Sequence, residues 1–278
     1  MSFSILILTL NEAATLPTLL ERLHGISTDI IVLDSHSDDE TCSIAEDYGC
    51  KVYKRRFDNE RAQRTFALSL PFKYSWVYNP DADEIPSDLL LAEMNKISTS
   101  STNKSAYEVR FKNYLYGKWI RRSTDYPVWV IRFFRPDKLS FEREINLRYV
   151  VDGSLGRLTG HFNHYPFAKG TEWWLSKHNV YSTKEAKEAI KIIGHKTFFS
   201  VLLSVFSTKT SKERRLALKE LSFFLPARGV LRFLYSYIIK LGFLDGKAGL
   251  KYCVLISFYE FMISVKINEL QSFNRDVR

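Results

Sequence analysis

The sequence predicts an α/β protein built on a doubly wound, mostly parallel sheet. Short apolar runs of β type alternate with helical segments over the first eighty residues. These runs are apolar throughout, which indicates strands covered on both faces, as in parallel sheets. Ligands of such sheets bind at the carboxyl ends of the strands. The polar residues that follow each run are therefore the first candidates for a functional site.

The predicted elements follow one another in a regular order. Strands are expected over residues 3–9, 30–33, 51–54 and 75–78. The first helix is marked by Leu16, Leu19, Leu20 and Leu23, with Thr15 as its N-cap. Further helices are expected over residues 40–48, 61–70 and 86–97, and Gly49 ends the second. Strand-like segments resume over residues 106–116 and 129–134, and the pattern is helical from residue 169 onward.

The charge of the chain is unevenly distributed. The net charge is +9, but residues 1–150 hold 20 Lys and Arg against 21 Asp and Glu, so the whole excess lies in the second half. This asymmetry predicts a nearly neutral catalytic or binding half joined to a basic half with an anionic partner. Nucleic acid is not expected as that partner, because no recognisable RNA- or DNA-binding module is present.

Several features bear on the compartment. Cys42, Cys50 and Cys253 lack metal-ligand spacing, and such a sparse, odd set suits a reducing compartment. The N-terminus lacks a basic region before its apolar run, so residues 2–10 are interpreted as a strand rather than a signal peptide. No uncharged apolar run reaches the roughly 18–20 residues needed to span a bilayer. We expect a cytoplasmic or peripheral protein.

The fourth predicted strand ends in a cluster of carboxylates at Asp81, Asp83 and Glu84. In an extended chain, side chains two residues apart point the same way, so Asp81 and Asp83 are expected to face one spot while Glu84 turns aside. Two convergent carboxylates favour a cation between them, and Mg²⁺ or Mn²⁺ is the natural candidate. The alternative is an acidic loop that caps the helix after Pro86.

Two other polar clusters follow predicted strands, at residues 9–12 and at Asp34-Ser35. No GxGxxG follows the first strand, so the usual dinucleotide cradle is absent, which disfavours a dehydrogenase. Four motifs follow one another along residues 1–90: Ile7-Leu8-Thr9-Leu10-Asn11-Glu12, residues 32–41, Gln63-Arg64 and Asp81-Ala82-Asp83-Glu84. In their order and spacing they resemble the motifs of a family 2 glycosyltransferase of the GT-A fold.

The resemblance extends into the second half of the chain. Lys177-His178-Asn179-Val180-Tyr181-Ser182 is similar to a segment of a subgroup close to the lipopolysaccharide core β-glucosyltransferases. Residues 241–246, followed by Gly249, strengthen this similarity. The resemblance therefore implies an inverting sugar transfer from a nucleotide-sugar, most simply a UDP-sugar, to a lipid-linked or envelope glycan.

The resemblance also implies roles for individual residues. The nucleotide base and ribose would be held by four residues after the first two strands: Thr9, Asn11, Glu12 and Asp34. For Asp34 the alternative is turn chemistry. Gln63 and Arg64 would approach the donor, and a guanidinium suits a diphosphate, although a solvated helical arginine is the alternative.

The metal ligands implied by the resemblance are Asp83, Asp81 and His164. Asp83 would lie nearest the metal, and Asp81 would lie nearer the ribose or sugar. His164, in the sequence His161-Phe162-Asn163-His164, would complete the metal shell or contact phosphate. A hydrogen-bonded loop histidine is the alternative, because HxxH alone does not make a zinc site.

Inverting transfer needs a carboxylate that accepts the proton of the attacking hydroxyl. Glu144 lies where the family places its acceptor-side catalytic segment and is the best candidate, with Glu142 and Asp125 left open. Four arginines interleaved with Tyr and Trp are expected either to grip an acceptor or to form edge-strand surface: Arg121, Arg122, Arg132 and Arg135.

The predicted domains are a GT-A catalytic domain over residues 1–167 and a helical, basic, membrane-facing region over residues 168–278. The catalytic domain divides into a donor half, residues 1–97, and an acceptor half, residues 98–167. Apolar area and positive charge coincide in the C-terminal region, which favours an anionic membrane surface as partner. The alternative function is a catalytically silent nucleotide-sugar-binding or membrane-interaction protein of the same fold.

Overall fold

The structure is a computed structural model that describes residues 1–142, 147–208 and 210–276. Its contacts divide the chain into two compact units. Residues 1–114 and 125–169 form unit 1, and residues 115–124 and 170–278 are assigned to unit 2. The predicted domain boundary at residue 167 stays a prediction.

Unit 1 is a mixed sheet with helices between its strands. Its helices are α1 (Leu16–Leu23), α2 (Thr41–Asp47), α3 (Glu60–Leu68) and α4 (Asp88–Thr99). Its strands, with the last residue of β6 assigned to unit 2, are β1 (Ser4–Thr9), β2 (Ile30–Asp34), β3 (Lys51–Lys54), β4 (Val77–Tyr78), β5 (Glu84–Pro86), β6 (Lys104–Leu115), β8 (Trp129–Phe134), β9 (Leu139–Glu142), β10 (Arg148–Val151) and β11 (Ser154–His164). A 3₁₀ turn, Pro136–Lys138, precedes β9.

The central sheet runs in the order β3-β2-β1-β4-β8-β6-β11-β5. The first four of these strands are parallel to one another, and β11 is parallel to β6. Strand β8 runs antiparallel to both β4 and β6, and β5 antiparallel to β11. Strands β9 and β10 form a separate antiparallel pair. The predicted α/β class with a mostly parallel sheet is confirmed.

The sheet is buried on both faces because alternate residues of its strands point into two different cores. Ile5 and Ile7 of β1 pack with the leucines of α1 and with Leu90 of α4. Leu6, between them, packs on the other face with Ala67 of α3. This two-sided burial explains why the strands are apolar throughout rather than alternating.

Local sequence signals set most helix ends. Asn59 caps α3 by accepting the backbone N–H of Ala62 at 2.8 Å, and Ser87 caps α4. Gly49 follows α2 with a φ of +74°, as expected for a residue that ends a helix. Thr15 holds the N-cap position of α1 but makes no capping hydrogen bond. Because Ser87 caps α4, the carboxylates of residues 81–84 are not its cap.

Unit 2 is helical, as predicted for the C-terminal region. Its elements are β7 (Lys118–Trp119), α5 (Gly170–His195), α6 (Phe198–Ser207), α7 (Ser211–Ser222), α8 (Arg228–Phe233), a π-helix (Leu234–Ile239), a 3₁₀ turn (Gly242–Asp245) and α9 (Gly246–Asp276). The glycines of the 241–249 segment permit close packing: a Cβ on Gly249 would lie 2.4 Å from the carbonyl oxygen of Gly242.

One helical stretch of unit 2, residues 242–272, is long and apolar enough to cross a membrane, judged by length and composition alone. Residues 170–195 and 198–207 pass the same test only as a pair bent by 97°. A search for strictly uncharged runs misses the first stretch because charged residues such as Lys247 and Lys251 interrupt it. A buried helix of a soluble protein can have the same length and composition.

Asp29, directly before β2, links the first residues of β1 and β3 and is expected to contribute to stability. Its fully buried carboxylate accepts hydrogen bonds from Ser4 Oγ at 2.5 Å, from the Lys73 backbone at 2.8 Å and from Lys51 Nζ at 2.8 Å. Burial opposes ionisation, but hydrogen bonds from Lys51 and Ser4 outweigh it and lower the pKa of Asp29.

We therefore predict that Asp29→Asn lowers the free energy of unfolding at pH 7 by about 1–3 kcal/mol. The folded pKa lies below the unfolded value of about 3.9, so this contribution is complete above that pH and is lost as the pH falls through the folded pKa. Urea denaturation at several pH values measures the difference. Asp152→Asn, which removes only a surface ion pair with Lys138, is the control. An equal effect of both substitutions would contradict the assignment.

Candidate active site

The loops that follow β1 and β2 are fastened to each other. The backbone N–H of Asn11 donates to Ser37 Oγ at 2.8 Å, and that of Glu12 donates to Thr41 Oγ1 at 2.8 Å. Asn11 Oδ1 accepts the backbone N–H of Asp38 at 3.0 Å. Asn11 has a φ of +56°, a left-handed conformation that asparagine tolerates. The predicted donor-binding residues of the first loop are thus held in one fixed arrangement.

Thr9 and Asp34 meet at the ends of the neighbouring parallel strands β1 and β2. They are paired in register, and Thr9 Oγ1 donates to Asp34 Oδ1 at 2.9 Å. Ser37 adds two hydrogen bonds to the same carboxylate, from its backbone N–H and its hydroxyl. Burial opposes ionisation of Asp34, but these hydrogen bonds lower its pKa. The turn chemistry considered for Asp34 is therefore present.

Glu12 lies in a half-buried ion pair with Lys169 Nζ at 2.6 Å and also accepts from Thr15 Oγ1 at 2.6 Å. Burial raises the pKa of the Glu12 carboxyl, although Lys169 and Thr15 oppose the shift. Lys169 is the last residue of unit 1, so this ion pair connects the first loop to the end of the unit. The carboxylate of Glu12 is therefore already paired with a cation.

Helix α3 places Gln63 and Arg64 beside two different strand ends. Gln63 is buried, accepts from Arg55 at 2.6 Å and donates to Ser35 Oγ at 3.1 Å. Arg64 donates to Asn79 Oδ1 at 3.2 Å. Since only 13% of its side chain is exposed, Arg64 is not a freely solvated helical arginine. Asn79 directly follows β4 and lies next to the carboxylate cluster in the chain.

Arg132 of β8 holds two of the carboxylates that follow β4. Its Nη2 donates to Asp81 Oδ2 at 2.5 Å and to Glu84 Oε1 at 2.6 Å. Glu84 Oε2 in turn accepts the backbone N–H of Asp81 at 3.1 Å. The side chains of Arg132 and Glu84 are 8% and 4% exposed, whereas that of Asp81 is 45% exposed. Only Asp81 offers much of its carboxylate to solvent.

The shared arginine affects the two carboxylates differently. Burial opposes ionisation of Asp81, but Arg132 and Arg64 outweigh it and lower the pKa of its carboxyl. Burial raises the pKa of Glu84 to about 7, with the charge of Asp81 adding to the shift and Arg132 opposing it. The partly exposed Asp81 is therefore the carboxylate that stays ionised at neutral pH.

Asp83 faces His164, at the end of β11. His164 Nε2 lies 3.4 Å from Asp83 Oδ2, and Nδ1 lies 2.7 Å from Asn113 Oδ1. Burial alone would lower the pKa of His164, but Asp83, Glu84 and Asp81 outweigh it and raise the pKa. His164 is the hydrogen-bonded histidine considered as an alternative, and it is also adjacent to the predicted metal ligand.

The predicted orientation of the three carboxylates is wrong. Residues 81–84 form a turn in which the backbone N–H of Glu84 donates to the Asp81 carbonyl at 3.0 Å. Because the chain turns rather than extends, Asp81 and Glu84 converge on Arg132, and Asp83 contacts His164 instead. Glu84, which was expected to turn aside, is part of the cluster.

Within residues 1–142, 147–208 and 210–276, the side chains alone build no metal-binding group of three or more His, Cys, Asp or Glu. The predicted ligands Asp81 and Asp83 are partly exposed carboxylates, 45% and 24%. Oxygen donors of this kind fit Mg²⁺ or Mn²⁺ if substrate phosphate and water supply the rest of the shell.

The predicted base, Glu144, lies outside the described residues. Of the two alternatives, Glu142 ends β9 and is paired at 3.5 Å with Arg148 across the β9–β10 hairpin. Asp125 belongs to unit 1. The choice among the three carboxylates stays open.

The sequence motifs of the second half have structural partners inside unit 2. His178 stacks on Trp174 with ring centroids 3.5 Å apart and meets Tyr259 edge-on. Lys266 Nζ donates to Asn179 Oδ1 at 2.7 Å, which ties α5 to α9. These contacts assign the Lys-His-Asn segment a role in packing.

The second motif, residues 241–246 followed by Gly249, contains Asp245. The buried carboxylate of Asp245 accepts hydrogen bonds from the backbone N–H groups of Arg122 and Ser123 at 2.8 and 2.7 Å. It thereby fixes the segment 115–124 within unit 2. The sequence signal for this packing role was Asp245, the single acidic residue within an apolar run that contains glycines.

Sequence reasoning missed the roles of Arg132, Asn79 and Glu84. Arg132 was expected on an acceptor-binding surface or an edge strand, but it is buried. A lone arginine in the run Trp129-Val130-Ile131-Arg132-Phe133-Phe134 was the available signal, because a buried charge requires a partner. Asn79, also buried, donates to the Leu6 carbonyl at 2.7 Å and joins β1 to the carboxylate turn.

Residues 4–162 match the sequence profile of Glycosyl transferase family 2. The match covers more than half of the chain, so the protein belongs to this family and is a glycosyltransferase. The GT-A fold class implied by the sequence resemblance is confirmed with it, whereas the lipopolysaccharide core subgroup is not.

Curated relatives come from Rickettsia. An uncharacterized glycosyltransferase of Rickettsia typhi is 27% identical over 286 residues, which cover 99% of this chain and 89% of the relative. One of Rickettsia prowazekii is 25% identical with the same coverage. One of Rickettsia bellii is 35% identical over 109 residues, or 38% of this chain and 37% of the relative.

Similar solved structures share less than half of their length with this chain. Glucosyl-3-phosphoglycerate synthase from Mycobacterium tuberculosis, in complex with Mn²⁺, UDP and glucosyl-3-phosphoglycerate, is 19% identical over 40% of this chain and 44% of its own, with a TM-score of 0.35. Mannosyl-3-phosphoglycerate synthase from Rubrobacter xylanophilus is 18% identical over 41% of each chain, with a TM-score of 0.35. A likeness at this level carries no functional argument.

We predict that Arg132→Met lowers the free energy of unfolding by about 3–5 kcal/mol, because it leaves the buried Glu84 without its cation. Adding Glu84→Leu should restore part of this loss, since the unpaired carboxylate is removed as well. Chemical denaturation of the single and double variants measures both changes.

The control is Arg157→Met, which breaks an ion pair with Glu108 whose arginine side chain is 64% exposed. It should cost less than about 1 kcal/mol. A cost for Arg132→Met as small as that of the control would show that the buried pair does not hold the turn.

Proposed function

We propose that the protein is a metal-dependent, inverting glycosyltransferase that moves a sugar from a UDP-sugar to a lipid-linked or cell-envelope glycan. The observation that carries this proposal is the meeting of polar side chains at the carboxyl ends of parallel strands. Thr9 and Asp34 lie at the ends of β1 and β2, and Asp81 and Asp83 follow β4, which pairs with β1. Open α/β sheets bind their ligands at such an edge.

In this proposal the nucleotide lies against the loops that follow β1 and β2. Thr9, Asn11, Glu12 and Asp34 shape those loops through the hydrogen bonds described above. The left-handed backbone of Asn11 and its hydrogen bond with Asp38 hold the first loop in place. A loop held in this way lowers the entropic cost of binding.

The residues of α3 and the carboxylate turn would hold the diphosphate and the metal. Arg64 stands beside Asn79 at the end of β4, and Gln63 fixes the neighbouring loop through Ser35. Asp83 is the proposed principal ligand of Mg²⁺ or Mn²⁺, with Asp81 and His164 at its margin. Asp81 already shares its charge with Arg132, so it is better suited to orient the sugar or ribose than to hold the metal alone. Bound metal neutralises charge on the leaving diphosphate.

The acceptor hydroxyl loses its proton to a carboxylate as the nucleotide diphosphate departs. Glu144 is the proposed base, with Glu142 and Asp125 as the alternatives left open by the sequence. Glu142 forms an exposed ion pair with Arg148 at 3.5 Å.

We further propose that the protein works as a peripheral protein at the cytoplasmic face of the inner membrane, in the synthesis of a lipopolysaccharide core. The net positive charge of residues 151–278 and the exposed apolar side chains of unit 2 support an anionic membrane as partner. The similarity of the Lys-His-Asn segment to the core β-glucosyltransferases supports the acceptor class.

We expect Asp83→Asn to lower Mn²⁺-dependent hydrolysis or transfer of a UDP-sugar by about 100-fold or more, because the metal stabilises the leaving group by several kcal/mol. Release of UDP, measured with and without Mn²⁺ over a panel of UDP-sugars, checks this expectation. Circular dichroism shows whether the variant keeps the fold.

Asp88→Asn is the matched control, since Asp88 is an exposed aspartate nearby in sequence that pairs with Arg22. Its activity should equal that of the wild type. Full activity of Asp83→Asn would refute the metal assignment. Donor binding by the wild type without turnover on the whole panel would instead support the alternative, a catalytically silent nucleotide-sugar-binding protein.

A further inference from the structure

One surface segment of unit 2 exposes mainly apolar residues. It runs from residue 225 to residue 244 and includes α8, the π-helix and part of the 3₁₀ turn. Several of its large apolar side chains are more than half exposed, with Val230 at 60%, Ile238 at 52%, Ile239 at 70% and Leu244 at 56%. Contiguous apolar exposure of this kind marks a contact surface.

Helix α9 continues this surface. Leu250, Val254, Phe258, Phe261 and Val265 are all exposed and recur every three or four residues, so they form one stripe along a single face. The exposed face of an isolated soluble helix would be polar instead.

The two apolar regions are contiguous because α8 packs directly on α9. A Cβ on Gly229 would lie 2.8 Å from the Ser257 carbonyl oxygen and 3.2 Å from Phe261 Cβ. We call the exposed residues of 225–244 together with the α9 stripe the apolar surface.

Positive charge predominates in the stretch that carries the apolar surface. Between residues 225 and 265 the acidic residues are Asp245, which is buried, and Glu260, which pairs with the buried Arg228. The other four cations of this stretch are partly or fully exposed: Arg232, Lys240, Lys247 and Lys251. A second copy of this chain docked on the same surface would bring like charges together, whereas an anionic bilayer offers both an apolar layer and phosphates. Charge complementarity therefore selects the bilayer.

The packing of α5 limits how deep α9 can lie. Ala186 and Ala189 of α5 pack with Ile263 and Ile267 of α9. The opposite side of α5 exposes charged residues, among them Lys184, Lys187 and Lys191. If α9 crossed the bilayer, these lysines would be carried into hydrocarbon at several kcal/mol each, by order of magnitude. They would remain in water if α9 lay along the surface.

We propose that the apolar surface is a membrane-binding face that lies within the headgroup layer of an anionic bilayer, with α9 parallel to the membrane rather than across it. The inference deepens the membrane association proposed above by naming the inserted residues and their depth. The four cations contact lipid phosphates at its margin, while Ile238, Ile239, Phe243 and Leu244 enter the boundary with the acyl chains.

The first experiment is flotation of the full chain with vesicles of phosphatidylcholine, with and without phosphatidylglycerol. The wild type should float with the anionic vesicles, and Ile238→Ser/Ile239→Ser should lower the bound fraction at least tenfold. Lys247→Gln/Lys251→Gln should weaken binding to anionic vesicles and reduce its salt dependence. The matched control is Phe57→Ser/Leu89→Ser, which removes two exposed apolar side chains of unit 1, 50% and 54% exposed, and should float like the wild type.

Unchanged flotation of Ile238→Ser/Ile239→Ser would overturn the proposal. Light scattering provides a second test. A wild-type dimer that this variant converts to monomer, with no change in flotation, would also overturn the proposal, because the apolar surface would then bind a second copy. Extraction of native membranes with alkaline carbonate tests the depth: release is expected, and retention would show that α9 spans the bilayer.

The vesicles contain no donor or acceptor, so the result does not depend on the transfer reaction. Calorimetric titration of the same variants with UDP and Mn²⁺ separates the two proposals. Ile238→Ser/Ile239→Ser should keep the affinity of the wild type for UDP while losing vesicle binding. If UDP affinity and flotation were lost together, this variant would have a general defect. The single substitutions Ile239→Ser and Leu244→Ser would then be tested. The proposal would stand only if each lowered flotation and kept UDP affinity.

Discussion

The geometry of the candidate site depends on one buried guanidinium. A single nitrogen of Arg132 holds both Asp81 and Glu84, and Glu84 fixes the backbone of the same turn. Because the arginine comes from β8, the turn after β4 is positioned by a strand that lies next to it in the sheet. Glu84 is buried and pairs with Arg132, which anchors the turn. The carboxylates of Asp81 and the neighbouring Asp83 are partly exposed and remain accessible. Removing the charge of Arg132 therefore affects the shape of the site as well as its electrostatics.

The two units carry different features of the molecule. Unit 1 carries the strand-end loops and the carboxylate turn. Unit 2 carries the exposed apolar side chains and the surplus of positive charge. The motifs that resemble a particular subgroup lie in unit 2, where His178, Asn179 and Asp245 serve packing. Those motifs preserve the helical scaffold, and the sugar chemistry is assigned to unit 1.

Strands β1–β4, β6 and β8 and the helices of unit 1 were predictable because their signals are local, whereas β5 and β9–β11 were not predicted. Apolar runs, Gly49 and the leucines of α1 each specify an element without reference to distant residues. The orientation of the carboxylates was not predictable, since it depends on Arg132, some fifty residues away, and on a turn that replaces the expected extended backbone. The proximity of Thr9 and Asp34 was predicted correctly, because the parallel pairing of their strands places them side by side. The exposed stripe of α9 was missed because exposure is a tertiary property that sequence periodicity does not reveal.

The strand ends that hold Thr9, Asp34 and Asp83 are proposed to bind a nucleotide diphosphate and a metal. A crystal structure of the protein with UDP and Mn²⁺, with anomalous scattering recorded at the manganese edge, is the decisive test. We expect a manganese peak within about 2–2.5 Å of an Asp83 carboxylate oxygen. We also expect uracil and ribose against the loops that follow β1 and β2. A nucleotide bound elsewhere on the protein, or a manganese ion away from Asp83, would contradict the proposal.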